Sequence, residues 1–388
     1  MNRRSAIRAM TLASAIVLAA CGGTSGGGGS TAQNVKIAYI GALTGDYKTI
    51  VVPGFQAAQL AFNNANAGKY GQLPVNISLV GMDTQGTSDQ AVTAAESVVN
   101  DPSYVGVIGP AFSNETQAAG PRLDQAGIPF MTPSATNPGL DQNGWTHWFR
   151  GVSSDAFGGP IIASYIANTV KPNCVFVAGD GTTGNTSWDI SVSQQLTSLG
   201  VQVKPRETFT SGAKDFSALV SKLAATQCTA FFIAGYSSDV GPIRKQMTDA
   251  GLGNVTLYGT SAFKDDQFLS TAGNAANGTL IVCDCSDVNS STDTAAKDFV
   301  SQYQAKYGEL PGVYAAEAWD IAQFYIQALK AGKTTRDALT SYFRSNSHQG
   351  ITKELKFQAN GELDPSVIED YFFIVKNGQW TLQGPAKQ

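Results

Sequence analysis

"VGVIGPAFSNETQAAGPRLDQAGIPFMTPSATNPGL", residues 105–140, is the stretch that decides the fold class. It contains two short apolar runs, VGVIG and IPFMT, on either side of a segment with helical periodicity, NETQAAGPRLDQAG. Such alternation is typical of βα units in a parallel sheet whose faces are covered by helices. Pro133 and Pro138 then exclude a regular helix or an inner strand, so the second strand ends in a rigid loop.

The same alternation occurs twice along the chain, over about residues 35–133 and again over about 172–260. The stretch GWTHWFRGVSSDA interrupts it, and we expect 150–156 to cross between two halves. The second set includes an expected strand at VQVKPRETF, residues 201–209. The fold class is therefore α/β, with two doubly wound parallel-sheet lobes joined by hinge crossovers.

Glycines and Asn-Gly pairs predict where several elements end. Left-handed glycine caps are expected after four helices, and Asn-Gly turns are expected at 360–361 and 377–378 in a hairpin-like tail. The four glycines are Gly68, Gly127, Gly200 and Gly251.

The N-terminus has the pattern of an export signal. MNRRSAIRAM is basic, the apolar run TLASAIVLAA is too short to span a bilayer, and LAAC resembles a bacterial lipobox. We expect 1–20 to be a lipoprotein signal peptide, Cys21 to be lipidated and 21–33 to be a flexible Gly/Ser-rich tether. The mature protein is then exported and lipid-anchored to the outer face of the cell membrane or in the periplasm. An ordinary signal peptide in which Cys21 falls by chance is the alternative.

Composition excludes several classes of function. The chain of 388 residues has a net charge of −4 and only two histidines, which argues against a nucleic-acid surface and against a His/Cys metal site. GDGTTG at 179–184 matches a dinucleotide fingerprint, but the next strand lacks the acidic ribose ligand and ends in Lys204 and Pro205. No nucleophile elbow, zinc-protease motif or Walker A motif occurs, so we expect neither an enzyme nor a cofactor.

Four cysteines follow Cys21, and in an oxidising compartment they can form disulfides. Cys174 and Cys228 each open an apolar run. If these runs are neighbouring parallel strands, the two Cα atoms lie about 5 Å apart, within disulfide reach. A bridge between Cys283 and Cys285 would need a short strained loop, and free thiols are the equal alternative.

Two adjacent strand ends present hydroxyl groups, at the edge where open α/β sheets bind ligands. One loop carries Thr132, Ser134 and Thr136, and the other carries Ser113. We expect Ser113 to cap a helix that begins at Asn114, whose free N–H groups and positive dipole end suit a carboxylate. The pattern predicts a site for a small polar or anionic ligand. The alternative is that Ser113 only caps and Thr136 only stabilises a turn.

Six segments occur in an order that matches a known family: IAYIGALTGDY, GFQAAQLAFNNANA, VIGPAFSNETQAA, PFMTPSATNPGL, GAKDFSALVSKL and AGY. On these the chain resembles the branched-chain amino acid-binding proteins of ABC importers, which are type I periplasmic binding proteins. The resemblance covers nearly all of 35–385. It implies an N-terminal lobe of 34–152 and 284–342, and a C-terminal lobe of 153–283 and 343–388.

The resemblance also implies a function. It indicates a monomeric solute-binding subunit that closes over a small solute and delivers it to a membrane permease, without covalent chemistry. A lipoprotein of the same fold that senses a ligand and signals to a membrane partner is the alternative, and an extracellular enzyme is a third class.

The family's binding residues map onto specific positions. A serine after the third strand and the threonine of ATNP hold the ligand carboxylate there, and these are Ser113 and Thr136. The main-chain carbonyl that takes the ammonium belongs to Ser134. A tyrosine of the second lobe falls on Tyr236, and an aromatic residue near the start of the late helix falls on Tyr314.

The sequence departs from the family on the ammonium side. Amino acid binders carry a Glu where this chain has Ser261, and Asp265 or Asp266 could replace it only if the loop turns inward. Ile50 and Thr183 stand where the family has aromatic residues. The implied solute is a small carboxylate or amide rather than leucine in particular. The expected ligand-binding residues are Ser113, Asn114, Ser134, Ala135, Thr136, Thr183, Tyr236, Ser261 and Tyr314.

Overall fold

The apolar runs of the sequence form two separate sheets in a computed structural model that describes residues 33–387. The expected signal peptide, Cys21 and nearly all of the tether lie outside the described residues. Across 33–387, no helix combines the length and apolarity needed to cross a membrane.

The first sheet has five parallel strands in the order β2-β1-β3-β4-β5. Its last three strands are buried at every position, as continuous apolar runs predict for a sheet covered on both faces. The strands are β1 Gln33–Gly41, β2 Val75–Asp83, β3 Tyr104–Ile108, β4 Phe130–Thr132 and β5 Trp148–Arg150. The helices within this half are α1 Lys48–Asn66, α2 Ser88–Val99 and α3 Ser113–Gln125.

The second sheet has seven strands in the order β14-β13-β10-β9-β8-β6-β7, with an antiparallel edge formed by β13 and β14. The strands are β6 Val175–Gly179, β7 Glu207–Thr208, β8 Ala230–Ala234, β9 Thr256–Thr260, β10 Leu280–Cys283, β13 Asp370–Lys376 and β14 Gln379–Ala386. Its helices are α4 Asp155–Tyr165, α5 Thr183–Ser198, α6 Ser217–Thr226, α7 Ser237–Asp249 and α8 Asp266–Ala272.

A late helical block returns from the second sheet to the first. The Tyr325 hydroxyl of this block lies within hydrogen-bond distance of the carbonyls of Val107 and Pro129, at 3.1 and 3.0 Å, and the Tyr307 hydroxyl donates to the carbonyl of Gln56 in α1. The block and its short hairpin are α9 Thr294–Tyr307, α10 Ala315–Lys330, α11 Arg336–Ser345, β11 His348–Gln349 and β12 Glu354–Leu355. Short helical turns lie at Pro138–Asn143, Ile166–Val170, Ser261–Phe263, Gly273–Ala276 and Pro365–Val367.

Several sequence predictions of local structure are confirmed. The four helix-ending glycines have φ values between +68° and +80°, the left-handed region that favours glycine. Asn377 and Gly378 form the turn between β13 and β14, both with positive φ, as a two-residue hairpin turn requires.

The expected strand over 201–209 is wrong for most of its length. Val203 makes a single bridge with Val175, and only Glu207 and Thr208 form a strand. Pro205 has no N–H to donate, and the segment lies at the sheet edge, where neighbouring strands do not hold it in place.

We propose a different boundary in place of the expected one at 343, because residues within 343–364 contact the first sheet. The Phe357 ring lies 5.0 Å from that of Phe149, and the Gly361 carbonyl accepts the Arg150 N–H at 2.9 Å. The resemblance implied that this segment belongs to the second lobe, but its contacts with Phe149 and Arg150 favour the first. We propose that the C-terminal share of the second lobe begins near Asp370.

Two disulfides are present in the described chain. Cys174 and Cys228 lie just before the neighbouring strands β6 and β8, with Cα atoms 4.8 Å apart, and are bonded. Cys283 and Cys285 are bonded as well, with Cα atoms 5.0 Å apart. The second bridge flanks Asp284 on both sides, so it restrains the backbone at that residue.

Replacing Cys174→Ser together with Cys228→Ser is expected to lower the free energy of unfolding by about 2–4 kcal/mol, because the bridge closes a long loop in the unfolded chain. The loop spans 54 positions, whereas the Cys283–Cys285 bridge spans 2. Urea titration of both double-serine variants measures the effect. An equal loss of stability in the two double-serine variants, or no loss in the Cys174/Cys228 variant, would contradict the dependence on loop length.

Candidate functional site

One cleft lies where strands of both sheets end at their carboxyl side. Most lining residues come from the loops after β3, β4, β6, β8 and β9 and from the start of α5, which is where open α/β sheets bind ligands, while Ile50 lies in α1 and Tyr314 directly before α10. The cleft is narrow, because the two lobes contact each other beside it. It is lined by Ile50, Ala111, Phe112, Ser113, Ser134, Thr136, Gly184, Asn185, Trp188, Tyr236, Thr260, Ser261, Ala262 and Tyr314.

Six of the nine residues expected from the sequence are brought together in this cleft: Ser113, Ser134, Thr136, Tyr236, Ser261 and Tyr314. The other three do not line this cleft and have different surroundings. Asn114 Nδ2 donates to the Gly86 carbonyl at 3.1 Å. The Ala135 methyl is buried in the apolar core of the first lobe. Thr183 contributes its carbonyl, which accepts from Asn137 Nδ2 at 2.6 Å across the two lobes.

Ser113 does not cap the helix in the way the sequence predicted. The helix begins at Ser113 itself, and Glu115 accepts the Phe112 N–H at 3.1 Å in the manner of a capping box. Burial raises the pKa of Glu115 to about 7. The Ser113 hydroxyl accepts the Asn137 N–H at 3.2 Å and has no acceptor for its own hydrogen among the described residues. It is therefore available to donate to a ligand.

Two hydroxyls, of Thr132 at the end of β4 and of Ser134, hold the Pro133–Pro138 loop in place. Thr132 Oγ1 donates to the Pro110 carbonyl at 2.8 Å and accepts the Ala135 N–H at 2.9 Å. Ser134 Oγ donates to the Ala111 carbonyl at 2.8 Å. These bonds join the loop to the preceding strand end, which explains why the strand stops in a rigid, hydroxyl-rich segment.

Arg150 fixes the same loop from behind. Its Nη1 donates to the carbonyls of Ala135 at 3.0 Å and Asn137 at 2.9 Å, while Nε lies 3.1 Å from Glu362 Oε1. The Arg150 side chain is fully buried, and the Glu362 carboxylate neutralises it. A buried planar guanidinium whose three nitrogens are all hydrogen-bonded holds backbone carbonyls firmly in place. Sequence reasoning missed this pair because 212 residues separate the partners.

A buried carboxylate also lies behind Thr136. The Asp155 N–H donates to the Thr136 carbonyl at 3.0 Å, and the Ser187 hydroxyl donates to the Asp155 carboxylate. Burial raises the pKa of Asp155 to about 7. Asp155 begins α4, so it connects the cleft loop of the first lobe to the first helix of the second.

The opposite wall is built by Ser261, Tyr314 and the buried Asp284. Asp284 Oδ1 accepts from Ser261 Oγ at 2.7 Å and from the Tyr314 hydroxyl at 3.0 Å, and the two hydroxyl oxygens are 2.8 Å apart. Burial raises the pKa of Asp284, and the hydrogen bond from Ser261 opposes that shift. Tyr314 has φ +59°, a left-handed conformation that is sparsely populated for a tyrosine and is held here by these contacts.

Neither acid named as a substitute for the missing Glu lies in the cleft wall. Asp265 caps α8 through the Phe268 N–H at 2.9 Å and accepts from Thr49 and Ser237. Asp266 lines a separate groove. The acid that contacts Ser261 is Asp284. The only feature of the sequence that could have drawn attention to Asp284 is its position between two cysteines.

Aromatic rings close the cleft around its entrance. The ring centroid of Tyr236, in the second lobe, lies 4.8 Å from that of Tyr47 and 5.6 Å from that of Phe112, both in the first lobe. Both ring pairs have edge-to-face geometry. Within the described chain, no group of three or more His, Cys, Asp or Glu is placed to hold a metal ion. The arrangement of hydroxyls, backbone groups and aromatic faces is suited to binding a small polar molecule.

Comparisons with known proteins identify relatives over nearly the whole chain. A sequence profile of the periplasmic binding protein family matches residues 34–375. The Leu/Ile/Val-binding protein of Citrobacter freundii is 28% identical over 357 residues, which cover 91% of this chain and 95% of that protein. A leucine-, isoleucine-, valine-, threonine-, and alanine-binding protein of Pseudomonas aeruginosa is 27% identical over 336 residues. The match covers 86% of this chain and 88% of that protein.

A solved structure has the same fold. The branched-chain amino acid transporter substrate-binding protein LivJ of Streptococcus pneumoniae, determined in complex with isoleucine, superimposes with a TM-score of 0.81. The two sequences are 25% identical, and the match covers 91% of this chain and 99% of that one.

Replacing Arg150→Met is expected to lower the free energy of unfolding by about 3–5 kcal/mol, because the change leaves the Glu362 carboxylate and two loop carbonyls without their buried donor. Urea titration measures the loss.

Lys245→Met is the control for the Arg150 variant. Its pair with Asp249 is more than half exposed on both sides, so a change below about 1 kcal/mol is expected. Similar losses in the two variants would contradict the role given to Arg150.

Proposed function

Because the chain belongs to the type I periplasmic binding proteins, in the branched-chain amino acid-binding family, we propose that it is the solute-binding subunit of an ABC importer. The relatives are solute-binding proteins and not enzymes. The proposed ligand is a small amino acid-like solute, held between the two lobes and delivered to a membrane permease. A sensor of the same fold is not favoured by these relatives.

The observation that carries the proposal is the convergence of hydroxyls at strand ends of both lobes in a single closed cleft. Ser113, with its free hydrogen, and Thr136 form the end proposed to hold a carboxylate. The Ser134 carbonyl and the Ser261 hydroxyl lie toward the end proposed for an ammonium or amide. Ile50 and Trp188 supply apolar surface for the rest of the solute.

Closure of the lobes is part of the proposal. The cleft is narrow and contacts between the lobes lie beside it, so we expect the lobes to separate before the solute enters. Polar contacts join the lobes in the closed form: Thr49 Oγ1 donates to Asp265 at 2.8 Å, and Asn137 Nδ2 donates to the Thr183 carbonyl. A bound solute would shift the population toward this form by its preference for it.

The cellular setting is proposed from the N-terminal sequence and the relatives. Residues 1–20 would direct export, and lipidated Cys21 would anchor the protein outside the cytoplasm through the tether of 21–33. The monomer would then present its closed form to the permease.

Isothermal titration calorimetry tests the function, with leucine, isoleucine, valine, their amides and simple carboxylates as candidate solutes. Ser113→Ala is expected to weaken binding of the tightest amino acid about 10-fold, because one hydrogen bond to a charged group contributes about 1.5–3 kcal/mol. Ser97→Ala, on the exposed face of α2, is the control and should leave the dissociation constant unchanged. Absence of binding by any of these solutes would contradict the proposal.

Thr49→Val is expected to weaken the same solute about fivefold, because it removes a bond of about 1 kcal/mol that exists only between closed lobes. The matched control is Ser237→Ala, which removes a bond to the same Asp265 from within the second lobe. The control should lower stability without a comparable change in affinity. Equal changes in affinity would contradict closure by this contact.

A further inference from the structure

We propose that closing of the lobes takes up protons at a cluster of three buried carboxyl groups, Asp155, Asp284 and Asp370, so that the protein binds its solute more tightly as the pH falls. The inference rests on the proposed function and adds a regulation of the same site. The protons come from the surrounding water, and no other covalent bond is made or broken.

Each of the three carboxyl groups belongs to one of the three crossovers between the lobes. Asp155 begins α4 after the crossover that leaves β5, Asp284 directly follows β10, and Asp370 begins β13. Two of these crossovers contact each other, because the Ser153 hydroxyl of the first donates to the Asp370 carboxylate of the third. The cluster therefore lies at the proposed hinge.

The cluster lacks hydrogen-bond donors for three full negative charges. All three residues are at most 2% exposed, and Asp155 Oδ1, Asp284 Oδ2 and Asp370 Oδ2 have no hydrogen-bond partner among the described residues. Burial raises the pKa of Asp155 and of Asp370 to about 7, and the nearby Asp284 carboxyl contributes to both shifts. Burial raises the pKa of Asp284 as well. A buried carboxyl group with an unpartnered oxygen favours its neutral, protonated form.

One lysine, Lys353, is shared by the cluster. Its Nζ donates to the Asp284 main-chain carbonyl at 3.3 Å, and its charge opposes the effect of burial on the pKa of Asp284 and of Asp370. The same lysine faces Glu317, a buried acid of α10 whose pKa burial also raises. One positive charge among these acids leaves protons on part of the cluster at neutral pH.

The other ionisable groups that face the cluster do not change this balance. Arg150 lowers the pKa of Asp155, but it is paired with Glu362. Burial raises the pKa of Tyr314 and of Tyr371 above that of an ordinary tyrosine, so both hydroxyls are neutral in the physiological range. The carboxyl groups are therefore the members of the cluster that titrate near pH 7.

Two of the carboxyl groups lie directly behind the cleft walls. Asp284 accepts from Ser261 of the second lobe and from Tyr314 of the first, and the Asp155 N–H donates to the Thr136 carbonyl of the first lobe. Because Ser261, Tyr314 and Thr136 line the cleft, opening it admits water behind them. Hydration stabilises the ionised carboxylates, so their pKa values fall on opening and rise again on closing.

Proton uptake on closing determines the direction of the pH dependence. The closed form binds more protons than the open form, so low pH favours it, and this preference is lost as the pH rises through about 7. The two histidines lie elsewhere: His147 Nδ1 is 2.9 Å from Asp124 Oδ1, and His348 Nδ1 is 2.7 Å from Gln327 Oε1. A pH effect on solute binding is therefore assigned to the carboxyl cluster.

Titration calorimetry tests the inference with the tightest-binding amino acid or simple carboxylate of the panel above, at pH values from 5.5 to 8.0. Pairs of buffers with different heats of ionisation give the number of protons taken up for each solute bound. We expect about one proton at pH 7 and a dissociation constant about 10-fold lower at pH 5.5 than at pH 8.0. Neither kind of solute changes its charge appreciably in this range, so the protons enter the protein.

Asp155→Asn and Asp370→Asn should each reduce proton uptake at pH 7 by about half and flatten the pH dependence. At pH 5.5 each variant should bind within about threefold of the wild-type protein, because the wild-type carboxyl group is then mostly neutral, like the amide. A purely structural role would not give an effect that disappears at low pH.

Asp320→Asn is the matched control. Burial raises the pKa of Asp320 to about 7 as well, but this residue accepts the N–H groups of Ile351 and Thr352, away from the cleft. Its surroundings should not change when the lobes separate. The variant should lose stability and keep the wild-type proton uptake.

The outcomes separate this inference from the proposed function. Solute binding without proton uptake and without pH dependence overturns the inference and leaves the function intact, and so does an equal loss of uptake in Asp320→Asn. If no solute binds, the proposed function fails, and small-angle X-ray scattering of the ligand-free protein decides the inference. A smaller radius of gyration at pH 5.5 than at pH 8.0 supports it, and equal radii overturn it.

Discussion

Charged groups buried behind the walls of the cleft hold its polar atoms in place, and the rest of the site depends on them. On one side, the Arg150 guanidinium holds two carbonyls of the loop that carries Thr136, and Glu362 neutralises it. On the other side, Asp284 takes the hydrogens of two wall hydroxyls. In a low-dielectric interior such bonds are strong and leaving them unmade is costly, so the hydroxyls and carbonyls keep fixed directions. Recognition of a small solute follows from these directions.

The sequence predicts the scaffold of this site better than its electrostatics. Continuous apolar runs and helical periodicity are local signals, so the two parallel sheets and the strand-end positions of Ser113 and Thr136 could be derived from them. The roles of Arg150 and Asp284 could not, because their partners are 212, 23 and 30 residues away. The proposed move of 343–364 to the first lobe rests on contacts of the same long-range kind.

The closed cleft and the need to admit a solute are compatible because few bonds join the lobes directly. Each interlobe hydrogen bond contributes about 1 kcal/mol, so the closed and open forms differ by an amount that a ligand can reverse. In the proposed mechanism, the walls held by buried ionisable groups stay fixed and set the specificity. The connections between the lobes move and control access to the cleft.

A crystal structure of the protein with its tightest-binding amino acid tests the account most directly. The account predicts that the ligand ammonium lies about 3 Å from both the Ser134 carbonyl oxygen and Ser261 Oγ, and that the carboxylate lies against Ser113 and Thr136. A ligand bound in the opposite direction, with its carboxylate on Ser261, would contradict the proposed orientation.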